Sequence, residues 1–298
     1  MKTASMVASN CWSRVAWPVV VLILVANGAL GSTLVTWGPG YWGQTNVPPG
    51  LNDAIAVSAG QYHVLALRAN GTVVAWGGDG SDYEEANRVP PGLDNVRAIS
   101  AGTALSVALR FDGTVVAWGH DGPDGYTNVP TGLHDAVAIA AGGYHGLALR
   151  ANGTVIGWGQ SMAGQISPPP DLTNAVAVAA GSHHSLALRA NGTVVAFGHP
   201  DQGQTTVPAG LSNVIAIAAV STRSFALKAD GTVVQWGSNA DGAFAPPPGL
   251  SNWSPSPPAP VRPSRCAPME RWSGGATRMW PPCPRPCQAW WPSPPTTT

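Results

Sequence analysis

The chain has 298 residues, a size at which all-β barrels and propellers still form single units. Charged residues make up 10% of it and the formal net charge is +0, against roughly 25% charged residues in an average soluble domain. No net field therefore draws in nucleic acid or an anionic membrane, and most of the chain must be buried strand or uncharged loop.

Residues 1–31 read as an export signal. Lys2 and Arg14 give a positive start, no acid precedes Asp53, and the apolar run Val19 to Ala26 is too short to span a bilayer as a helix. Small residues from Ala26 to Ser32 offer a cleavage site, so a secreted or cell-surface location without a retained membrane segment is expected. Cys11 lies in this segment and Cys266, Cys283 and Cys287 lie near the other end. Thiol and metal chemistry are thus nearly excluded from everything between.

Residues 32–252 are repetitive. "GTVVAWG" at Gly71 returns at Gly113, as "GTVIGWG" at Gly153, "GTVVAFG" at Gly192 and "GTVVQWG" at Gly231. Counting from Trp37, the aromatic-Gly pairs are spaced by 39, 42, 40, 39 and 39 residues. Each unit reads as a meander: strand a as in Ala54 to Gly60, strand b as in His63 to Ala69, strand c as in Thr72 to Gly77, all rich in β-branched and aliphatic residues. Asn70-Gly71, Asp112-Gly113, Asn152-Gly153, Asn191-Gly192 and Asp230-Gly231 predict a two-residue type I′ hairpin between b and c. A short strand d is expected in segments such as Gln44 to Val47, ended by proline. The chain enters this pattern part-way through a unit, with c and d at Leu34 to Val47.

The expected fold is therefore all-β. Four-stranded units of ~40 residues cannot stand alone, and radial stacking into a β-propeller buries both faces of each blade; a stacked solenoid is the structural alternative. "AGGYHGLALRANGTVIGWG" (Ala141 to Gly159), followed by Ala163 to Gln165, resembles the repeat of the regulator of chromosome condensation family. That resemblance implies a propeller of seven blades in the intact family fold, with five whole blades and a half-blade in this chain. The spacing and the export signal look most like the bacterial secreted branch, which includes propeller-type β-lactamase inhibitor proteins.

Antiparallel parity puts the a–b and c–d loops on one face and the b–c hairpins and d–a connections on the other. The second face is uniform, with Arg68, Arg110, Arg150, Arg189 and Lys228 before the turns, a solubility pattern rather than a phosphate site. The first face holds all five tyrosines, Tyr41, Tyr62, Tyr83, Tyr126 and Tyr144, with Trp42. It also holds Asp79, Asp82, Glu84, Glu85, Asp121, Asp124, Asp201 and Asp241. Stiff aromatics beside carboxylates suit a protein partner with a basic surface. The candidate partner-binding residues are thus Tyr41, Trp42, Tyr62, Asp79, Asp82, Tyr83, Glu84, Glu85, Asp121, Asp124, Tyr126 and Tyr144.

Catalytic residues, a metal and a cofactor are not expected. His63, His145 and His184 recur at one position, but Leu105 and Arg223 break the ring, so imidazoles bonding a neighbouring loop fit better than zinc. Asp79 to Asp82 and Asp121 to Gly125 carry calcium-friendly oxygens without the order of an EF-hand. No phosphate loop or nucleophile elbow occurs. The expected function is a secreted, monomeric, non-enzymatic protein-binding repeat scaffold; by resemblance to the inhibitor branch, one form of this is inhibition of an extracellular enzyme. The alternatives are a guanine-nucleotide exchange or chromatin regulator, as in the founding family members, whose exchange residues map to no position here, and a propeller enzyme acting on cell-wall glycans.

Residues 253–298 form a Pro/Trp/Cys-rich tail unlike the rest. Read one base out of frame, the codons of Ala267 to Ala276 allow "DGTVVGWG", whose tryptophan falls at position 275, 39 residues after Trp236. Trp253 to Ala259 reads "LVAIAAG" in the same frame. The tail is accordingly expected to be an out-of-frame translation of further repeats, leaving open sheet edges prone to aggregation.

Overall fold

The structure, a computed structural model, describes residues 20–24, 33–37, 40–78 and 83–238, all within one compact unit. Strands β1 (Val20–Leu24) and β2 (Thr33–Trp37) pair antiparallel and precede five three-stranded antiparallel sheets. Blade I is β3 (Ala54–Ala59), β4 (His63–Arg68) and β5 (Val73–Gly77); blade II is β6 (Val96–Ala101), β7 (Leu105–Arg110) and β8 (Val115–Gly119). Blade III is β9 (Ala136–Ala141), β10 (His145–Arg150) and β11 (Val155–Gly159). Blade IV is β12 (Ala175–Ala180), β13 (His184–Arg189) and β14 (Val194–Gly198), and blade V is β15 (Val214–Val220), β16 (Arg223–Lys228) and β17 (Val233–Gly237). One 3-10 turn, Glu84–Asn87, interrupts the strands among the described residues.

Strand b is central in every sheet, and its register against strand c repeats from blade to blade: His63 opposes Gly77 and Leu67 opposes Val73, as His184 opposes Gly198 and Leu188 opposes Val194. Strand a carries a bulge near its start in all five blades, which leaves Ile55, Arg97, Val137, Val176 and Ile215 outside the ladder.

Two expectations need correction. The b–c link is not a type I′ turn: only the glycine has positive φ, +80° at Gly71, and its N–H returns to the Arg68 carbonyl at 2.9 Å. This is a type I turn closed by a glycine bulge, one residue longer than expected. The Asn70 side chain explains the difference, because its Oδ1 accepts the Thr72 N–H at 3.0 Å and the Thr72 hydroxyl at 2.7 Å, which holds the asparagine at negative φ. Segment d is not a ladder strand either. Gln44 to Val47 runs as turns, Asn46 N–H to the Gly43 carbonyl and Val47 N–H to the Thr45 carbonyl, while the Gln44 carbonyl takes the Trp76 indole N–H at 2.9 Å. Its polar groups are met locally and by side chains, so the sheets stop at three strands. Val20–Leu24, inside the run read as the signal core, pairs with β2 as strand b pairs with strand c, with Val20 opposing Trp37 as Val64 opposes Trp76. An aliphatic β-branched run suits either role.

The core lies between blades. Leu65, Leu67 and Val73 of blade I pack on Val96, Ala108 and Trp118 of blade II, and Leu186, Leu188 and Val194 of blade IV on Val214, Ala226 and Trp236 of blade V. Each fully buried leucine contributes roughly 1.5–3 kcal/mol. Around the inner edge the a–b loops are joined in one direction by backbone bonds, Gln61 to Gly102, Thr103 to Gly142, Gly143 to Gly181 and Ser182 to Ser221, each N–H to carbonyl at 2.9–3.3 Å. A side chain at Gly102 would overlap the Gly142 carbonyl, so the Ala-Gly pair ending strand a is dictated by the next blade.

Candidate protein-binding face

The residue after each aromatic-Gly pair bonds back to the a–b loop of its own blade. His120 donates to the Ala104 carbonyl, Gln160 to Tyr144 and His199 to His183, each at 2.9 Å. The a–b and c–d loops therefore share one face, as parity requires.

On that face eight rings form a continuous arc. Trp42 meets Tyr62 edge-on at 5.9 Å between centroids, and Tyr62 stacks on Tyr83 at 5.5 Å. Tyr83 touches His120 at 5.5 Å and Tyr144 at 6.2 Å; Tyr126 lies 5.4 Å from Tyr144 and 6.3 Å from His120. Tyr144 stacks on His183 at 5.9 Å, and His183 reaches His199 at 6.3 Å. Successive a–b loops present Tyr62, Ala104, Tyr144 and His183 at one position, so blade II lacks a ring there. Tyr83 fills the gap from the c–d segment of blade I, the segment belonging to the 42-residue interval, where the turn Glu84–Asn87 begins. Its hydroxyl lies 3.3 Å from that of Tyr144.

Burial and the hydrogen bond from Tyr83 push the Tyr144 phenol well above the ordinary tyrosine value, and burial followed by the Asp124 charge raises Tyr126. Tyr126 and Tyr144 therefore present uncharged aromatic surface at neutral pH.

The other candidate residues flank it. Tyr41 is 75% exposed next to Trp42, Asp121 accepts the Thr127 N–H at 3.3 Å, and Asp124 is exposed. Glu84 pairs with Arg88, whereas Glu85 keeps one carboxylate oxygen buried without a partner. Asp79, Asp82 and Asp241 lie outside the described residues. Four members of this face escaped the sequence reading: His120, His183, His199 and Gln160, whose Oε1 accepts the His183 Nδ1–H at 3.1 Å. Their signal was positional, since each sits just after an aromatic-Gly pair or just before a strand-b histidine. Met162, 86% exposed, was also missed.

The opposite face has little charge to offer. Arg68 pairs with Asp53 at 2.8 Å, Arg150 with Asp135 at 2.9 Å, Arg189 with Asp171 at 2.6 Å and Lys228 with Asp230 at 2.9 Å. Among the described residues no three His, Cys, Asp or Glu side chains gather as a metal site. His63, His145 and His184 each bond a serine of the following blade.

Residues 54–82, 136–165 and 175–204 match the family described as Regulator of chromosome condensation (RCC1) repeat. The chain carries RCC1 repeats. No curated protein matches significantly. Among solved structures this RCC1-repeat chain is similar to the ectodomain of the Physcomitrella patens receptor kinase CR4, at 24% identity and a TM-score of 0.60, covering 73% of this chain and 60% of that one. It is also similar to Prp20p of Saccharomyces cerevisiae, at 19% identity and a TM-score of 0.60, covering 74% of this chain and 72% of that one. A third is yeast RCC1 (Prp20) bound to Kap60, at 18% identity and a TM-score of 0.60, covering 74% and 70%. The chain spans 60% of the length of the CR4 ectodomain. At these identities the likeness establishes the RCC1-type propeller fold.

Proposed function

We propose that this RCC1-repeat chain is an exported, non-enzymatic scaffold that docks a protein partner with a basic surface on the face holding Trp42, Tyr62, Tyr83, Tyr126 and Tyr144, and that inhibition of an extracellular enzyme is the use to test first. The observation that carries this reading is the unbroken arc of eight rings, with Asp121, Asp124 and Glu84 at its margin. Tyr83 reaches across a blade to complete the arc. That replacement of a missing ring supports a continuous platform rather than drifting loop aromatics. Tyrosine and tryptophan anchors give large contact area at low entropic cost, and carboxylates steer a cationic partner. Prp20p has binding properties toward Gsp1p and histones, and Prp20 is seen with Kap60; a protein-binding role on the same fold accords with this.

The chromatin-type alternative finds less support, because the described arginines of the hairpin face that form ion pairs do so with their own acids and have less to give to phosphate. The test is capture of partners from the extracellular fraction, followed by titration with Trp42→Ala and Tyr83→Ala. Each should weaken binding by more than about 1 kcal/mol. Unchanged affinity in both, with losses on mutating Arg68 or Arg110, would move the docking site to the opposite face.

A further inference from the structure

Three blade junctions share one buried device. His63 Nε2 lies 2.7 Å from Ser106 Oγ, His145 Nε2 2.9 Å from Ser185 Oγ, and His184 Nε2 3.0 Å from Ser224 Oγ, each pair bridging adjacent blades. Each serine hydroxyl donates onward to a backbone carbonyl, at Ala86, Gln165 and Gln204, over 2.7–2.8 Å. A hydroxyl has one proton, so the histidine must be the donor in each pair, with its proton on Nε2. The other nitrogen, Nδ1, has no hydrogen-bond partner in any of the three, and the ring is packed against the glycine of its own a–b loop, Gly60, Gly142 or Gly181. A second proton on Nδ1 would be a buried cation in a space filled by that glycine.

Little that faces these rings helps a cation. His63 is set by burial alone; His145 faces His184 and His183; His184 faces His183, with the backbone of Arg223 and Ser221 offsetting part of the effect. Burial alone holds His63 down to about 4, and burial first, with neighbouring imidazoles second, holds His184 to about 4 and His145 to about 3. Because the unfolded chain takes up these protons near pH 6.5, the stability they contribute is complete above that pH and is lost as the pH falls through 6.5 towards 4. The residue before each of the three is a member of the arc: Tyr62, Tyr144 and His183.

We propose that His63, His145 and His184 form a proton-operated latch, whose protonation separates adjacent blades and dismantles the aromatic arc, so that docking is confined to near-neutral pH. The latch stands on the junction geometry; its consequence for docking rests on the proposed function above, and the experiment reads the latch without any partner.

Near-ultraviolet circular dichroism and tyrosine fluorescence of the whole chain should report a cooperative loss of the arc between pH 6.5 and 4, with uptake of more than one proton. In the triple variant His63→Gln, His145→Gln, His184→Gln, the amide nitrogen can still donate to the serine but cannot titrate, and the transition should move to lower pH by a unit or more. A wild-type signal flat to about pH 4, or a variant with an unshifted transition, overturns the proposal. Should the variant fail to fold, C2 hydrogen–deuterium exchange at the histidines of the wild-type chain decides. His63, His145 and His184 should titrate well below pH 6.5, and ordinary titration of all three would refute the latch.

Discussion

Tyr83 and Tyr144, 61 residues apart in sequence, meet through their hydroxyl groups at 3.3 Å on the face shared by the a–b and c–d loops. Burial, with this hydrogen bond second, holds the Tyr144 phenol well above the ordinary tyrosine value. Because its folded value is raised, the phenolate is disfavoured in the folded chain, and stability falls once the pH passes the ordinary tyrosine value of about 10. Spectrophotometric titration of the native chain should show Tyr126 and Tyr144 ionising above the ordinary tyrosine value of about 10. Tyr83→Phe removes the hydroxyl contact and should bring Tyr144 down; an unchanged titration would mean that burial alone holds it.

The hairpins make a sharper stability test. Asp112 and Asp230 accept the same pair of bonds from Thr114 and Thr232 that Asn70 accepts from Thr72, or the backbone half of that pair. Asn70→Asp should therefore be neutral within about 0.5 kcal/mol in denaturant unfolding. Asn70→Ala should cost roughly 0.5–1.5 kcal/mol, the net value of such bonds. Gly71→Ala should cost about 1–2 kcal/mol, since φ is +80° and only glycine adopts it freely.

Gly102→Ala probes the junction between blades II and III. The added methyl would press on the Gly142 carbonyl, the acceptor for Thr103 N–H, so overpacking and a lost backbone bond combine. A loss of about 2–4 kcal/mol is expected, more than for Gly71→Ala. Equal costs at the two sites would show that the junction yields easily.

The tail beyond Asn252 is tested at the level of the gene. We expect the nucleotide sequence to restore repeats when read one base out of frame, and a chain carrying the repaired tail to be more soluble than the present one. An intact frame through Asn252, or a repaired chain no more soluble, rules this out.

The legible features of the fold were those set by local chemistry. Gly after Asn or Asp marked every b–c link, and the tryptophan spacing gave the blade period. Parity alone put Tyr62, Tyr83, Tyr126 and Tyr144 on one face. The turn type was misread because the Asn70 side chain competes for the Thr72 N–H, and the three-strand sheet because the Trp76 indole, not a ladder partner, takes the Gln44 carbonyl. The arc itself was out of reach. Its membership depends on which loop crosses into the space above Ala104, a tertiary fact, and its imidazoles at His120, His183 and His199 had no residue-type signal separate from the repeat.

The backbone bonds that join one a–b loop to the next all run the same way, from the residue after glycine, and at Ala104 also from the one beyond it, to a carbonyl in the following blade. Every junction is therefore head-to-tail, and the donor half of one matches the acceptor half of another. Unequal recombination between two units of about 39 residues can delete or duplicate a blade while leaving each surviving backbone junction chemically whole. Only the partners written into single junctions, such as Leu105 and Gly146 where the others carry histidine and serine, would be mismatched by such an event. Junctions of this kind let blade number change by copying, and mismatched pairs would keep the record of where a copy was made.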